Sequence, residues 1–217
     1  AFVYLNSTTG YHVLNSSADS STIEFAIVNG VLQVYVSGAW NSLGGTTITS
    51  GSWYHIAVSR HGGMVFGFVN GTLCPNRVVY TGQVCSSNAI SIGAQPGGAQ
   101  FLCLDGYIDD YRFTKGIARY TTAFIVPDTA APDALESGID LLWDSTQVLV
   151  QVDADSTTLV DRSSFARNIT NNGASIASIG DGASIRVGAS SDAGFSLPGN
   201  IHLGNGDFTL EFTCNTS

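Results

Sequence analysis

The chain has 217 residues and a formal net charge of −9, with eight Lys plus Arg against 17 Asp plus Glu and only 12% charged residues. An acidic chain without basic clusters is a poor partner for nucleic acid, and no apolar run approaches the roughly 20 residues that would insert into a membrane. This length can bury one large core or two small ones, and many short alternating segments favour one large β-sandwich. The chain starts at Ala1 with no initiator Met and no signal-peptide pattern, so either a leader has been removed or the chain is a segment of something longer.

Phe2–Leu5 and Tyr11–Leu14 are short strands on either side of a polar turn, Asn6–Gly10. Thr22–Val28 alternates with period two, Asn29-Gly30 turns the chain, and Val31–Val36 returns as its hairpin partner. Trp40 follows in Ser37–Ser42, near a loop tip. The strongest pattern is Trp53–Thr72. Tyr54, Ile56 and Val58 share one side of a first strand, Arg60–Gly63 is turn chemistry, and Met64, Phe66 and Phe68 share one face of a second strand, with Val65 and Val69 on the other. Asn70-Gly71 is a strong hairpin signal. Because this ribbon is apolar on both sides, it belongs between two sheets or under a covering layer, with Val58 and Phe66 deeply buried.

Arg77–Val84, Ala89–Gly93 and Tyr107–Phe113 continue as strands, and Lys115–Tyr120 reads as a short helical turn. Residues 128–140, rich in Pro, Ala and acidic side chains without alternation, form a linker. A new pattern starts at Gln147–Asp153 and ends at Gly206–Phe212. Of the cysteines Cys74, Cys85, Cys103 and Cys214, no two form a C-x-x-C pair, which argues against zinc. They read mainly as small buried hydrophobes, with Cys74–Cys85 the candidate bridge.

The string WYHIAVSRHGGMVFGFVNGT at 53–72 resembles the central hairpin of laminin G-like domains, within the concanavalin A-like lectin/glucanase group. GYIDDYRFTKGIARYT at 106–121 resembles the closing strand of the version found in bacteriophage tail fibres and other virion proteins. The resemblance implies an all-β fold, an antiparallel two-sheet jelly-roll sandwich, with the family's halves in permuted order. Residues 1–127 resemble its second half and residues 141–217 its first. Joining Ser217 to Ala1 on paper gives an uninterrupted domain, so the expectation is one sandwich over 1–217 with neighbouring termini. The competing picture is a tandem array whose missing halves come from adjacent chains or repeats.

The fold group includes glycan hydrolases whose strand carries Glu-x-Asp-x-x-Glu, which sets two carboxylates on one face. No such string occurs here, and no G-x-S-x-G elbow either. Glu24 and Glu211 read as isolated, outward-facing solvated groups. His55 stands where the family's hairpin usually has His and reads as a packed, hydrogen-bonded residue, while His12, His61 and His202 are scattered. Asp153 and Asp155 before a loop, with Asp109 in the closing strand, are the candidate oxygen ligands of a structural calcium, the fold's possible cofactor. Trp40, flanked by Asn41 and with Tyr11 available, is the candidate carbohydrate platform.

The expected function is a non-enzymatic module on a virion surface or tail fibre, extracellular when mature, that attaches to a cell-surface glycan or decorates the particle. Its partners would be other virion proteins or copies of itself, as in a homotrimer. The alternatives are a purely structural interaction domain buried between subunits and, further off, a glycan hydrolase.

Overall fold

The computed structural model describes residues 2–17, 23–83, 89–95, 103–126, 142–153, 155–179, 182–188, 194–198 and 206–212. The chain runs through β1 (Phe2–Leu5), β2 (Tyr11–Ser17), β3 (Glu24–Val28), β4 (Val31–Val36), β5 (Ala39–Ser42), β6 (Trp53–His61), β7 (Met64–Val69), β8 (Thr72–Leu73), β9 (Val78–Val79), β10 (Ala89–Ile92), β11 (Gly106–Asp109) and β12 (Tyr111–Lys115). After a single 3-10 turn at Trp143–Ser145 come β13 (Thr146–Val150), β14 (Thr170–Asn171), β15 (Ser175–Ile179), β16 (Gly182–Val187), β17 (Phe195–Pro198) and β18 (Phe208–Phe212).

Among the described residues these strands form two antiparallel sheets packed as a sandwich. The smaller sheet has the order β14-β17-β10-β2-β3-β4-β5. The larger follows β13-β12-β18-β6-β1-β11-β16-β15, with β7 on the other edge of β6 carrying β8 and β9. Leu14, Phe25, Ile27, Ile90, Ile92 and Leu197 of the smaller sheet meet Val3, Ile56, Val58, Ile108, Phe113 and Leu210 of the larger in one core.

The register of β6 explains the shape of the larger sheet. Its residues 57–60 pair with β18, and its residues 53–55 pair with β1. β18 and β1 therefore lie end to end, running the same way, in one track. β12 and β11 form the next track, and β13 and β16 the one after it. Strands from 142–212 thus interleave with strands from 2–126 in both sheets, through β18–β6, β12–β13, β11–β16 and β10–β17. The linker at 128–140 and both chain termini lie outside the described residues.

The central hairpin departs from its expected details. Val58 is fully buried, but Phe66 is only half-buried, with the Arg77 guanidinium 4.8 Å above its ring. Phe68 is the buried aromatic, because the segment 116–126 crosses the outer face of the sheet there and lays Tyr120 and Phe124 against it. Residues 117–120 of that segment are irregular rather than helical. Arg60 is not in the turn but inside β6, where it is fully buried. Its Nη1 donates to the Gly82 carbonyl (2.6 Å), its Nε to the Gly206 carbonyl (3.0 Å), and its guanidinium lies 5.2 Å from the Phe208 ring. The turn itself is Gly62-Gly63, both at positive φ. Of Arg77–Val84, expected as a strand, the described residues 77–83 form only the short β9. Cys74 and Cys103 are buried and unbridged, so Cys74–Cys85 is not a disulfide here, while Cys85 and Cys214 lie outside the described residues.

Candidate functional site

Strand alternation divides each sheet into a core face and an outer face, and the two outer faces are built differently. On the smaller sheet, register sets Glu24, Tyr35 and Trp40 in one lateral row across β3, β4 and β5, with Val13, Ala26, Gln33 and Ser42 in the next. Trp40 is not at a loop tip; it belongs to the edge strand β5. Its ring lies across Val13, Ala26 and Val28. From there it meets Tyr35 at 5.3 Å and Tyr11 at 5.7 Å between ring centroids, tilted by 56° and 50°. These are ordinary separations for attractive aromatic pairs. Trp40, Tyr35 and Gln33 are half-buried, and Tyr11 is exposed.

Polar groups border this cluster. Gln95 Nε2 donates to Glu24 Oε1 at 3.1 Å. Glu24 is not solvated as expected: it is 3% exposed, and burial pushes its carboxyl above the usual range, against the hydrogen bonds from Ser16 and Gln95. Asn41 Nδ2 donates to the nearby Ala39 carbonyl at 2.9 Å, so part of its capacity is spent locally. Aromatic faces with amide groups at the rim can stack on the C–H face of a sugar ring and hydrogen-bond its hydroxyls.

On the larger sheet, the segment 116–126 seals a charged cluster. Glu211, expected to be solvated, is fully buried. Its carboxylate accepts from Arg112 Nε at 3.1 Å and from a second Arg112 nitrogen, Nη2, and from the Tyr120 hydroxyl at 2.5 Å, while His55 Nε2 stands 3.5 Å away. Burial opposes its charge, but Arg112 and His55 outweigh burial and hold the carboxyl well below its usual range. His55 is fully buried, edge-on to Phe124, and desolvation lowers its pKa to about 4, so it is neutral at pH 7. It is packed as the sequence suggested.

The covering segment is held at Gly71. Phe124 N donates to the Gly71 carbonyl at 3.0 Å, and a Cβ on Gly71 would fall 2.1 Å from the Phe124 carbonyl oxygen. Asn70, beside it, accepts from the His55 backbone N–H through its side chain at 2.8 Å, and Asn15 is buried against the Tyr111 hydroxyl.

Past the edge of the cover, Trp53, Tyr4 and Tyr107 stand side by side on β6, β1 and β11, with centroids 5.6 and 5.7 Å apart for neighbouring strands. All three are half-buried. Their alternation was visible in the sequence, but their meeting was not, since Tyr107 is far from Tyr4 along the chain.

The three calcium candidates sit in different surroundings. Asp109 lies in β11, buried beside the buried Asp110, and its carboxyl is pushed up to about 8 by burial and then by the charges of Asp110 and Asp153. Asp153 is exposed and paired with Arg162 Nη2 at 2.6 Å, and Asp155 is exposed. Among the described residues no three His, Cys, Asp or Glu side chains stand together to hold a metal ion.

A laminin G family model, described as the concanavalin A-like lectin/glucanases superfamily, matches residues 1–117, and the chain belongs to that family. No curated protein and no solved structure matches it.

Proposed function

We propose that the chain is a non-enzymatic attachment module of a virion surface or tail fibre, extracellular when mature, which binds a cell-surface glycan on the outer face of the smaller sheet. Domains of this family generally bind carbohydrate or protein rather than catalyse. The observation that carries the reading is the part-exposed cluster of Tyr11, Tyr35 and Trp40 bordered by Gln33 and the Glu24–Gln95 pair. The virion setting rests on the resemblance of the 106–121 string to tail-fibre modules, in which a homotrimer or other virion proteins would be the partners. The test is a glycan array with wild type and Trp40→Ala. Binding to a defined glycan class, weakened at least tenfold in the variant while its melting temperature holds, is the expected result. Absence of binding, or binding indifferent to Trp40, overturns it.

A second reading, an interaction domain seated between subunits, is favoured by the half-buried Trp53–Tyr4–Tyr107 cluster on the opposite outer face. It predicts a self-association, measured by light scattering, that Trp53→Ala removes and Trp40→Ala leaves alone.

A further inference from the structure

We infer that the two halves of this chain are exchangeable, so that residues 142–212 of one copy complete the 2–126 half of a second copy. The proposal is independent of the glycan reading.

It starts from the β18–β1 track. Pairing of β18 stops at Glu211 opposite Ala57 and at Phe212 opposite Tyr111. Pairing of β1 begins at Phe2, opposite both His55 and Asp109. Only Ile56 on one flank and Asp110 on the other separate the two strands, so they hold consecutive positions of a single strand. Without β18, the 2–126 half would present unpaired edges on β6 and β12 and lose Phe208 and Leu210 from its core.

The seat for β18 is specific and lies within 2–126. Arg60 donates to the Gly206 carbonyl, and His61 Nδ1 lies 2.8 Å from Asp207 Oδ2. The Gly62 N–H donates to Asp207 Oδ1 at 3.1 Å, Ser59 Oγ meets Thr209 Oγ1 at 3.0 Å, and Arg112 holds Glu211. A second copy offers the same seat, so closed and exchanged forms contain the same contacts. They differ only in the covalent path and in the entropy of joining two chains, which is the condition for domain swapping.

That path runs through residues 127–141. Fifteen residues reach at most roughly 50 Å when extended. A 217-residue domain has a radius of gyration of about 17 Å, so the neighbouring copy lies within reach. Tethering gives the chain's own half an effective concentration on the order of millimolar, which favours closure in dilute solution and exchange when copies are crowded or fold together.

The experiment uses full-length chains: unlabelled Ser59→Cys and 15N-labelled Thr209→Cys, refolded together at rising concentration with oxidised glutathione, and mapped by peptide mass spectrometry. Paired strand residues whose side-chain oxygens are 3.0 Å apart suit a disulfide. The expected result is a light–heavy disulfide joining residues 59 and 209, at least tenfold more abundant at several hundred micromolar than at one. The double variant Ser59→Cys/Thr209→Cys, which closes within one chain, checks the geometry. Closure in the double variant with no 59–209 link between mixed single variants, at any concentration, overturns the proposal. If the double variant does not close, native mass spectrometry of co-refolded light and heavy Trp53→Ala chains, which lack the other candidate self-association surface, decides: mixed dimers formed on co-refolding but not on mixing the folded chains support exchange, and monomers alone, or dimers formed equally on mixing folded chains, refute it.

Discussion

On the outer face of the larger sheet, Glu211, Arg112, His55 and Phe68 are sealed beneath residues 116–126; on the outer face of the smaller sheet, Trp40 lies against Val13, Ala26 and Val28, flanked by Tyr11 and Tyr35, and all three rings still reach solvent. Both faces arise from the same period-two alternation. The difference is the added layer, and it decides what each residue type can do. Under the cover, a carboxylate must find a cation and a hydroxyl, and an aromatic ring becomes core. On the open face, an aromatic ring keeps a surface free for a ligand. Position on an outer face therefore says little about function until the covering segments are known.

The largest effect should come from breaking the sealed side. Glu211→Ala strands the Arg112 guanidinium in a buried site, and a loss of about 3–5 kcal/mol is expected in urea unfolding. A loss below about 1 kcal/mol would mean that the cover admits water. Next, Phe68→Ala should cost about 3–5 kcal/mol. Phe66→Ala, two residues earlier and outside the cover, should cost about 1 kcal/mol through its packing and its Arg77 contact. Equal losses would erase the contrast between covered and open positions.

Acid should act on the sealed side. The folded-state pKa of His55 lies below its ordinary value, at about 4 against 6.5, so at this site the unfolded chain binds more protons and the His55 contribution to stability falls as pH drops from 6.5 towards 4, while Asp109, raised to about 8, contributes with the opposite sign over the same window. Glu211, also depressed, contributes stability above pH 4.5 that is lost below it. His55→Gln should remove the His55 part of this profile, so that in melting curves taken between pH 7 and 4 the variant loses less stability on acidification than the wild type, and an unchanged slope would show that His55 does not contribute. The smallest expected change in stability is that of Trp40→Ala, about 1 kcal/mol from an edge strand, measured by the same unfolding curves. A loss of 3 kcal/mol or more would move Trp40 from the open side of the comparison to the structural side.

Much of the sandwich was legible in the sequence because it is written locally. The Trp53–Val69 alternation, the Asn29-Gly30 and Asn70-Gly71 turns and the Phe208–Phe212 strand all rest on neighbouring residues. What was illegible depends on segments far apart. Phe66 and Phe68 are equivalent in the pattern, and only the crossing of Tyr120 and Phe124 makes Phe68 the buried one. Arg60 beside two glycines reads as a turn until Gly82 and Gly206 supply its carbonyls. Glu24 and Glu211 were read as solvated because Gln95, Arg112 and Tyr120 are distant in sequence. Of the candidate site, Trp40 and Tyr11 were visible as residue types, but their junction with Tyr35 needed the β4–β5 register.

The end-to-end seating of β18 and β1 also sets a timetable for synthesis. β6 and β12 leave the ribosome well before β18, and at about 5–20 residues per second the stretch from Lys115 to Phe212 takes roughly 5–20 s to make. For that interval the nascent chain holds a vacant strand position that its own later residues must fill, on a timescale comparable with slow β-sheet folding. Polysomes that crowd several such chains together would offer each vacancy more than one candidate strand.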